Sequence, residues 1–111
     1  MELVIYESDW DEAVRRVKEG CDLDDFDFNR VDPDHLCANC ALAVAGERLF
    51  GKPSYVLDQL DVDGHGSFTG PGLHFEMMRF DHHLQFGRLK PCAWPIRIPL
   101  THVAEAGLNT R

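Results

Sequence analysis

No apolar run in the chain approaches the roughly 18 residues needed to cross a bilayer, so the sequence offers no membrane-spanning helix. The opening MELVIYESDW lacks the basic stretch and small-residue cleavage site of an export signal, and a cytoplasmic location is expected. Four cysteines (Cys21, Cys37, Cys40 and Cys92) should then meet reducing conditions, which argues against a disulfide framework. Internal repeats, linkers and low-complexity tracts are absent. Bases are scarce too: 11 Lys and Arg stand against 19 Asp and Glu, for a formal net charge of −8. Direct nucleic-acid binding relies on bases neutralising phosphate and is disfavoured by this balance.

What the chain does hold is a core's worth of apolar residues. With 111 residues, 44% of them hydrophobic, a single domain spanning 1–111 can fold without staples. The acids are unevenly placed. Residues 1–34 carry 12 acids and four bases, the entire formal charge, while residues 35–111 balance at seven of each. An acidic first third repels phosphates and attracts basic surfaces.

Local patterns predict an α+β fold, a mainly antiparallel sheet packed by two helices. ELVIYE reads as a short buried strand. SDWDEAVRRVKEG reads as an amphipathic helix, with Ser8 as cap, Asp11 completing the box, Gly20 as stop, and a stripe of Trp10, Ala13, Val14 and Val17. CDLDDFDFNRVDPD has neither period and is expected to be a loop. The second helix should start at Asp32 as cap with Pro33 in its first turn and run to about Phe50, where Gly51 and Pro53 stop it. SYVLDQL and LHFEMMRF read as strands around a glycine-rich turn, DVDGHGSFTGPG, and HHLQFGRL could pair back on the second. AWPIRIPL alternates Ile96, Ile98 and Leu100, but Pro95 and Pro99 confine it to an edge. Thr101 could cap a short helix ending near Gly107.

Chemistry, if any, centres on HLCANC. Within a 33–50 helix, Cys37 and Cys40 share a face with Ala41 and Val44, so the first reading is of small buried hydrophobes packed on a sheet. A zinc site is the second reading, with Cys37 and Cys40 joined by His35 and His82, although no second C-x-x-C fixes the remaining ligands. The favoured expectation is no cofactor. CANCALAVAGERLFGKP resembles the cysteine segment of papain-fold deamidase toxins, and this resemblance implies Cys37 or Cys40 as a nucleophile. Those domains continue to a Gly-His strand and an Asp-Gly-Gln, which this chain lacks; His65 falls in a glycine turn. HFE at 74–76 and PC at 91–92 echo a zinc-deaminase signature, with Pro95 where its last cysteine belongs. DVDGHG supplies the first, third and sixth places of a calcium loop, but Gly72 occupies the twelfth.

These readings favour a small acidic binding or inhibitory protein, comparable in size and charge to phage-encoded inhibitors and immunity proteins. Its expected partner is a protein with a basic surface, of which a nucleic-acid-binding site is one kind. Asp22, Asp24, Asp25 and Asp27 would form the charged rim around the apolar anchors Phe26 and Phe28. A cysteine- or zinc-dependent enzyme and a zinc-stabilised structural protein are the alternatives.

Overall fold

The alternation at the start of the chain places Leu3 and Ile5 on the buried face of strand β1 (Glu2–Ile5). The structure, a computed structural model, describes residues 1–19 and 27–104. β1 pairs antiparallel with β5 (Ile96–Pro99), setting Leu3 opposite Ile98 and Ile5 opposite Ile96. β2 (Ser54–Val56), β3 (Leu60–Val62), β4 (Gly66–Thr69) and β6 (Thr101–Ala104) form a second antiparallel sheet in the order β2-β3-β4-β6. Among the described residues four α-helices accompany these sheets: α1 (Glu7–Glu19), α2 (Pro33–Asn39), α3 (Ala41–Phe50) and α4 (Leu73–Phe86). The fold is α+β, with twice the expected number of helices.

α1 buries Trp10, Ala13 and Val17, with Val14 half-buried, the stripe that its spacing predicts. Its cap is not Ser8, which lies inside the helix. Asp9 reaches back to the Tyr6 N–H (2.9 Å), the reciprocal half of a capping box displaced by two residues. Asp11 is instead ion-paired to Lys90. Trp10 stands edge-on to Phe80, His83 and Trp94, with centroids 5.0, 5.6 and 5.7 Å away, and so ties α1 to α4 and to the segment before β5.

The expected 33–50 helix is two helices. Asp32 caps the first by accepting from the Asp34 N–H, and Pro33 opens it. At the break, the Asn39 side-chain amide donates to the His35 carbonyl (2.9 Å), competing with the backbone donors that would extend α2. Cys40 takes an extended conformation (φ −67°, ψ 167°) and becomes the N-cap of α3, whose first bond runs from Val44 N–H to Cys40 C=O. Residues 41–46 of α3 are all buried, as suits a helix enclosed on every side. It packs on β1, β2, β3, α1, α2 and α4. Close approach to the second sheet needs Gly46, because a Cβ there would lie 3.0 Å from both Leu60 Cδ1 and Ser54 Oγ.

LHFEMMRF is helical, contrary to the strand reading, and the helix takes in His82, His83 and the start of HHLQFGRL. Leu73, Met77, Phe80 and Leu84 recur at four- and three-residue spacing and face the core. The local alternation of LHFEM concealed that longer period. Phe75 is consequently exposed and Glu76 buried. SYVLDQL folds into β2, a turn at 57–59 and the first residue of β3, while the turn expected over 61–72 shrinks to its Asp63-Gly64 centre, with Gly64 at φ 77°. Thr101 begins strand β6; residues 105–107 of the expected terminal helix lie outside the described residues.

Candidate functional site

Pairing of charges decides where the acidic character of this protein is displayed. Along β1 and α1, Glu2 meets Arg97, Glu7 and Asp11 meet Lys90, and Glu12 and Glu19 meet Arg15, with Glu12 also on Arg16. Two guanidiniums hold the Glu12 carboxyl down at about 2. Asp9 is buried against Arg48, and Asp27 sits 3.6 Å from Arg30. Arg48, Lys90 and Arg97 thus reach back to four acids of the first third, and Arg15, Arg16 and Arg30 meet three more.

Exposed carboxylates without a basic partner, among the described residues, are Asp32, Asp34, Asp58, Asp61 and Asp63. Three of them gather at one place. A groove of about 470 Å³ between the end of α2 and the β2–β3–β4 turns is lined by Tyr55, Asp61, Asp63 and Ser67, with Ala38 and Pro53 as apolar wall. The Tyr55 hydroxyl donates to Asp34 Oδ1 (3.1 Å), joining the start of α2 to this groove. Ser67 donates to Asp61 and fixes that carboxylate. Among the described residues no Lys, Arg or His lines the groove. Its electrostatics suit a cationic visitor.

Of the six residues expected to meet a partner, Asp22, Asp24, Asp25 and Phe26 lie outside the described residues. Asp27 caps a 3-10 turn at Phe28–Arg30 by accepting from the Asn29 N–H (3.0 Å). Phe28 is half-buried against the core, so part of its ring stabilises the fold. Sequence reasoning passed over Asp61 and Asp63 as a binding feature, having weighed them only as an incomplete calcium loop. Their approach to Asp34 depends on the β2–β3 hairpin, which the single-strand reading of SYVLDQL hid.

Cys37 and Cys40 are buried, as the core reading requires. They line a cavity of about 10 Å³ with Leu36, Val56, Met77 and Asp81. Burial pushes the Cys40 thiol up to about 12 and raises that of Cys37 as well. This is the opposite of nucleophile activation, although Cys40 stands at the N-terminus of α3. Burial likewise raises the Asp81 carboxyl to about 6, with the His82 charge opposing it, and Asp81 Oδ1 has no hydrogen-bond partner. Hydrogen bonds with Cys37 and then Asp34 push the Tyr55 hydroxyl up to about 12.

Among the described residues no three His, Cys, Asp or Glu side chains converge as a metal site, and His35 and His82 do not join Cys37 and Cys40 in one. The His35 ring is engaged instead with the Arg16 carbonyl and the Asn39 amide. His65, in the turn between β3 and β4, packs on Phe50 at the far end of α3 from Cys40. His74 and Glu76 lie on α4, and Cys92 is exposed. No protein family, curated protein or solved structure matches this chain.

Proposed function

We propose that the chain is a small acidic, non-enzymatic binding protein that engages a basic surface of a protein partner, in the way an inhibitor or immunity protein covers its target. One observation carries this reading. Arg15, Arg16, Arg48, Lys90 and Arg97 pair with acids of β1 and α1, whereas Asp61 and Asp63, and Asp34 held by Tyr55 beside them, meet no base among the described residues. Carboxylates so placed steer association and reject acidic surfaces, while Tyr55 and Pro53 offer apolar area between them. The acidic segment that contains Asp24, Asp25 and Asp27 adds charge of the same sign to the same first third of the chain.

Panning a random displayed-peptide library against the protein tests the reading. Lys- and Arg-rich peptides should be enriched, and their affinity should fall as salt rises. Asp61→Lys with Asp63→Lys should abolish that enrichment if the groove is the working surface. Reversal of Asp24, Asp25 and Asp27 to Lys should abolish it if the acidic segment is. Enrichment of no basic peptide, or of basic peptides indifferent to both sets of reversals, would defeat the proposal.

A further inference from the structure

Of the four α-helices among the described residues, α2 has the least holding it. It is seven residues long and buries only Cys37, whereas α1, α3 and α4 bury four, six and five residues. Leu36 is partly buried beside Cys37. Both ends of α2 are changes of backbone direction, the Asp32-Pro33 start and the extended Cys40. Its polar ties to other elements include the Tyr55 hydroxyl on Asp34 and the His35 ring on the Arg16 carbonyl. A short helix with so little apolar contact belongs to the part of a fold that opens locally.

Beneath α2, Asp81 of α4 sits where an ionised carboxylate is poorly answered. Its Oδ1 is shut away from water and has no hydrogen-bond partner. Asp81 lines the cavity of about 10 Å³, which Leu36, Cys37 and Cys40 close from above, Val56 from β2 and Met77 from α4. That space holds about one water molecule at most. Both thiols are engaged elsewhere, Cys40 Sγ with the Cys37 carbonyl (3.9 Å) and Cys37 with the Tyr55 hydroxyl. Among the described residues, charges on the surrounding elements are equally committed. Arg30 of the 3-10 turn pairs with Asp27, Arg79 pairs with Glu76, and Asp34 behind Tyr55 is itself an acid. Trp10 of α1 and the buried residues of α3 bring no charge. His82, next along α4, supplies the one opposing charge, and burial outweighs it.

We infer that Asp81 makes α2 a pH-sensitive latch, closed over the carboxyl while it is protonated and opening at its two ends, to admit water, when the proton is lost. The closed state binds the proton more tightly, so opening is favoured as pH rises through about 6 and disfavoured below it. The other walls of the cavity are fixed: Leu73, Met77, Phe80 and Leu84 hold α4 in the core, and β2 is paired to β3. α2 also supplies Ala38 to the acidic groove and Asp34 to its border, so opening removes one wall of that groove. This last consequence rests on the groove being the binding surface; the latch itself does not. By reciprocity, a basic peptide that needs the wall would tighten the hold of Asp81 on its proton.

Amide hydrogen exchange of the full chain at pH 5 and pH 7, corrected for the intrinsic pH dependence of exchange, tests the latch without any ligand. Amides of α2 should be less protected than those of α1 and α4 at both pH values, because α2 opens without global unfolding. Their protection should fall about tenfold from pH 5 to pH 7. That is the change expected when a carboxyl titrating at about 6 in the closed state regains an ordinary value of about 4 on opening. In Asp81→Asn the protection of α2 should be the same at both pH values. Equal protection of α1, α2 and α4 would overturn the inference, since only global unfolding would then uncover Asp81. So would wild-type α2 protection that ignores pH, or an equal fall in Asp81→Asn. Failure of basic peptides to bind the groove would defeat the groove reading and leave these exchange results unchanged.

Discussion

Truncating Arg48 should strand a buried carboxylate. Asp9, 4% exposed, receives the Arg48 Nε–H and one Nη–H at 3.0 Å each, besides the Tyr6 N–H. The same guanidinium donates to the Val4 carbonyl at 2.6 Å and lies over the Tyr6 ring at 4.8 Å. One side chain of α3 therefore clamps the end of β1 to the first turn of α1. Removing one member of a fully buried pair costs about 3–5 kcal/mol. The Arg48 side chain is itself 44% exposed, so water can enter where it stood, and the lower end of that range applies to Arg48→Ala. A loss of about 3 kcal/mol lowers the melting temperature by roughly 12–24 °C in a domain of this size. Arg48→Lys keeps the charge without the fork and should recover about half. Arg48→Met with Asp9→Asn removes both charges and should be more stable than Arg48→Ala by about 1–2 kcal/mol. Urea unfolding followed by the fluorescence of Trp10 and Trp94 measures all three. A cost below about 1 kcal/mol for Arg48→Ala, or a double variant no better than the single one, would refute the account of Asp9 as a carboxylate dependent on its partner.

Three further outcomes follow from other sites. Asp81 has a folded pKa of about 6, above that of an ordinary Asp, so the folded state binds its proton more tightly and stability falls as pH rises through that window. Asp81→Asn should then be more stable than wild type by about 1–2 kcal/mol at pH 7–8, discounted for partial exposure, with the advantage gone near pH 4; a pH-independent difference would contradict this. Thiol titration should find Cys92 reactive in the native protein and Cys37 and Cys40 reactive only on unfolding, while rapid native labelling of Cys40 would revive its candidacy as a nucleophile. Gly70→Ala would press a Cβ to 2.3 Å from the Pro99 carbonyl oxygen, which cannot yield without moving β5, and should destabilise by about 1–3 kcal/mol or more in thermal melts; a neutral result would mean that β4 and β5 lie farther apart.

Signals that act within a few residues were legible in the sequence. β1, the stripe of α1, the Asp32-Pro33 start and the Gly51 stop all rest on contacts of short range, and all are in the structure. The break at Cys40 was not legible, because it depends on the Asn39 side chain choosing the His35 carbonyl inside a stretch with good helix propensity. Nor was α4, whose first five residues alternate like a strand until Phe80 and Leu84 complete the helical period. The groove formed by Tyr55, Asp61 and Asp63 required a hairpin at a place without Asn-Gly or Gly-Gly to announce it. The excess of acid in the first third was plain from composition. That Arg48, Lys90 and Arg97 would reach back to Asp9, Glu7, Asp11 and Glu2, leaving carboxylates without a basic partner on α2 and the β2–β4 turns, could be seen only once the chain was folded.

β5 and β6 are separated only by Leu100, yet they belong to different sheets, one closing on β1 and the other on β4. The Leu100 N–H also reaches back to the Met1 carbonyl (2.8 Å). During synthesis, then, β1 waits while residues 6–95 are made before its partner β5 appears, and the β2–β4 meander keeps one edge open from Thr69 until Thr101. Both edges are satisfied almost at once when residues 96–104 leave the ribosome. Until that moment Leu3 and Ile5 have no sheet to join, and the nascent chain presents them to whatever holdase is at hand. A protein built this way matures in a single late step, and truncation before residue 96 should leave two unfinished sheets instead of a folded half.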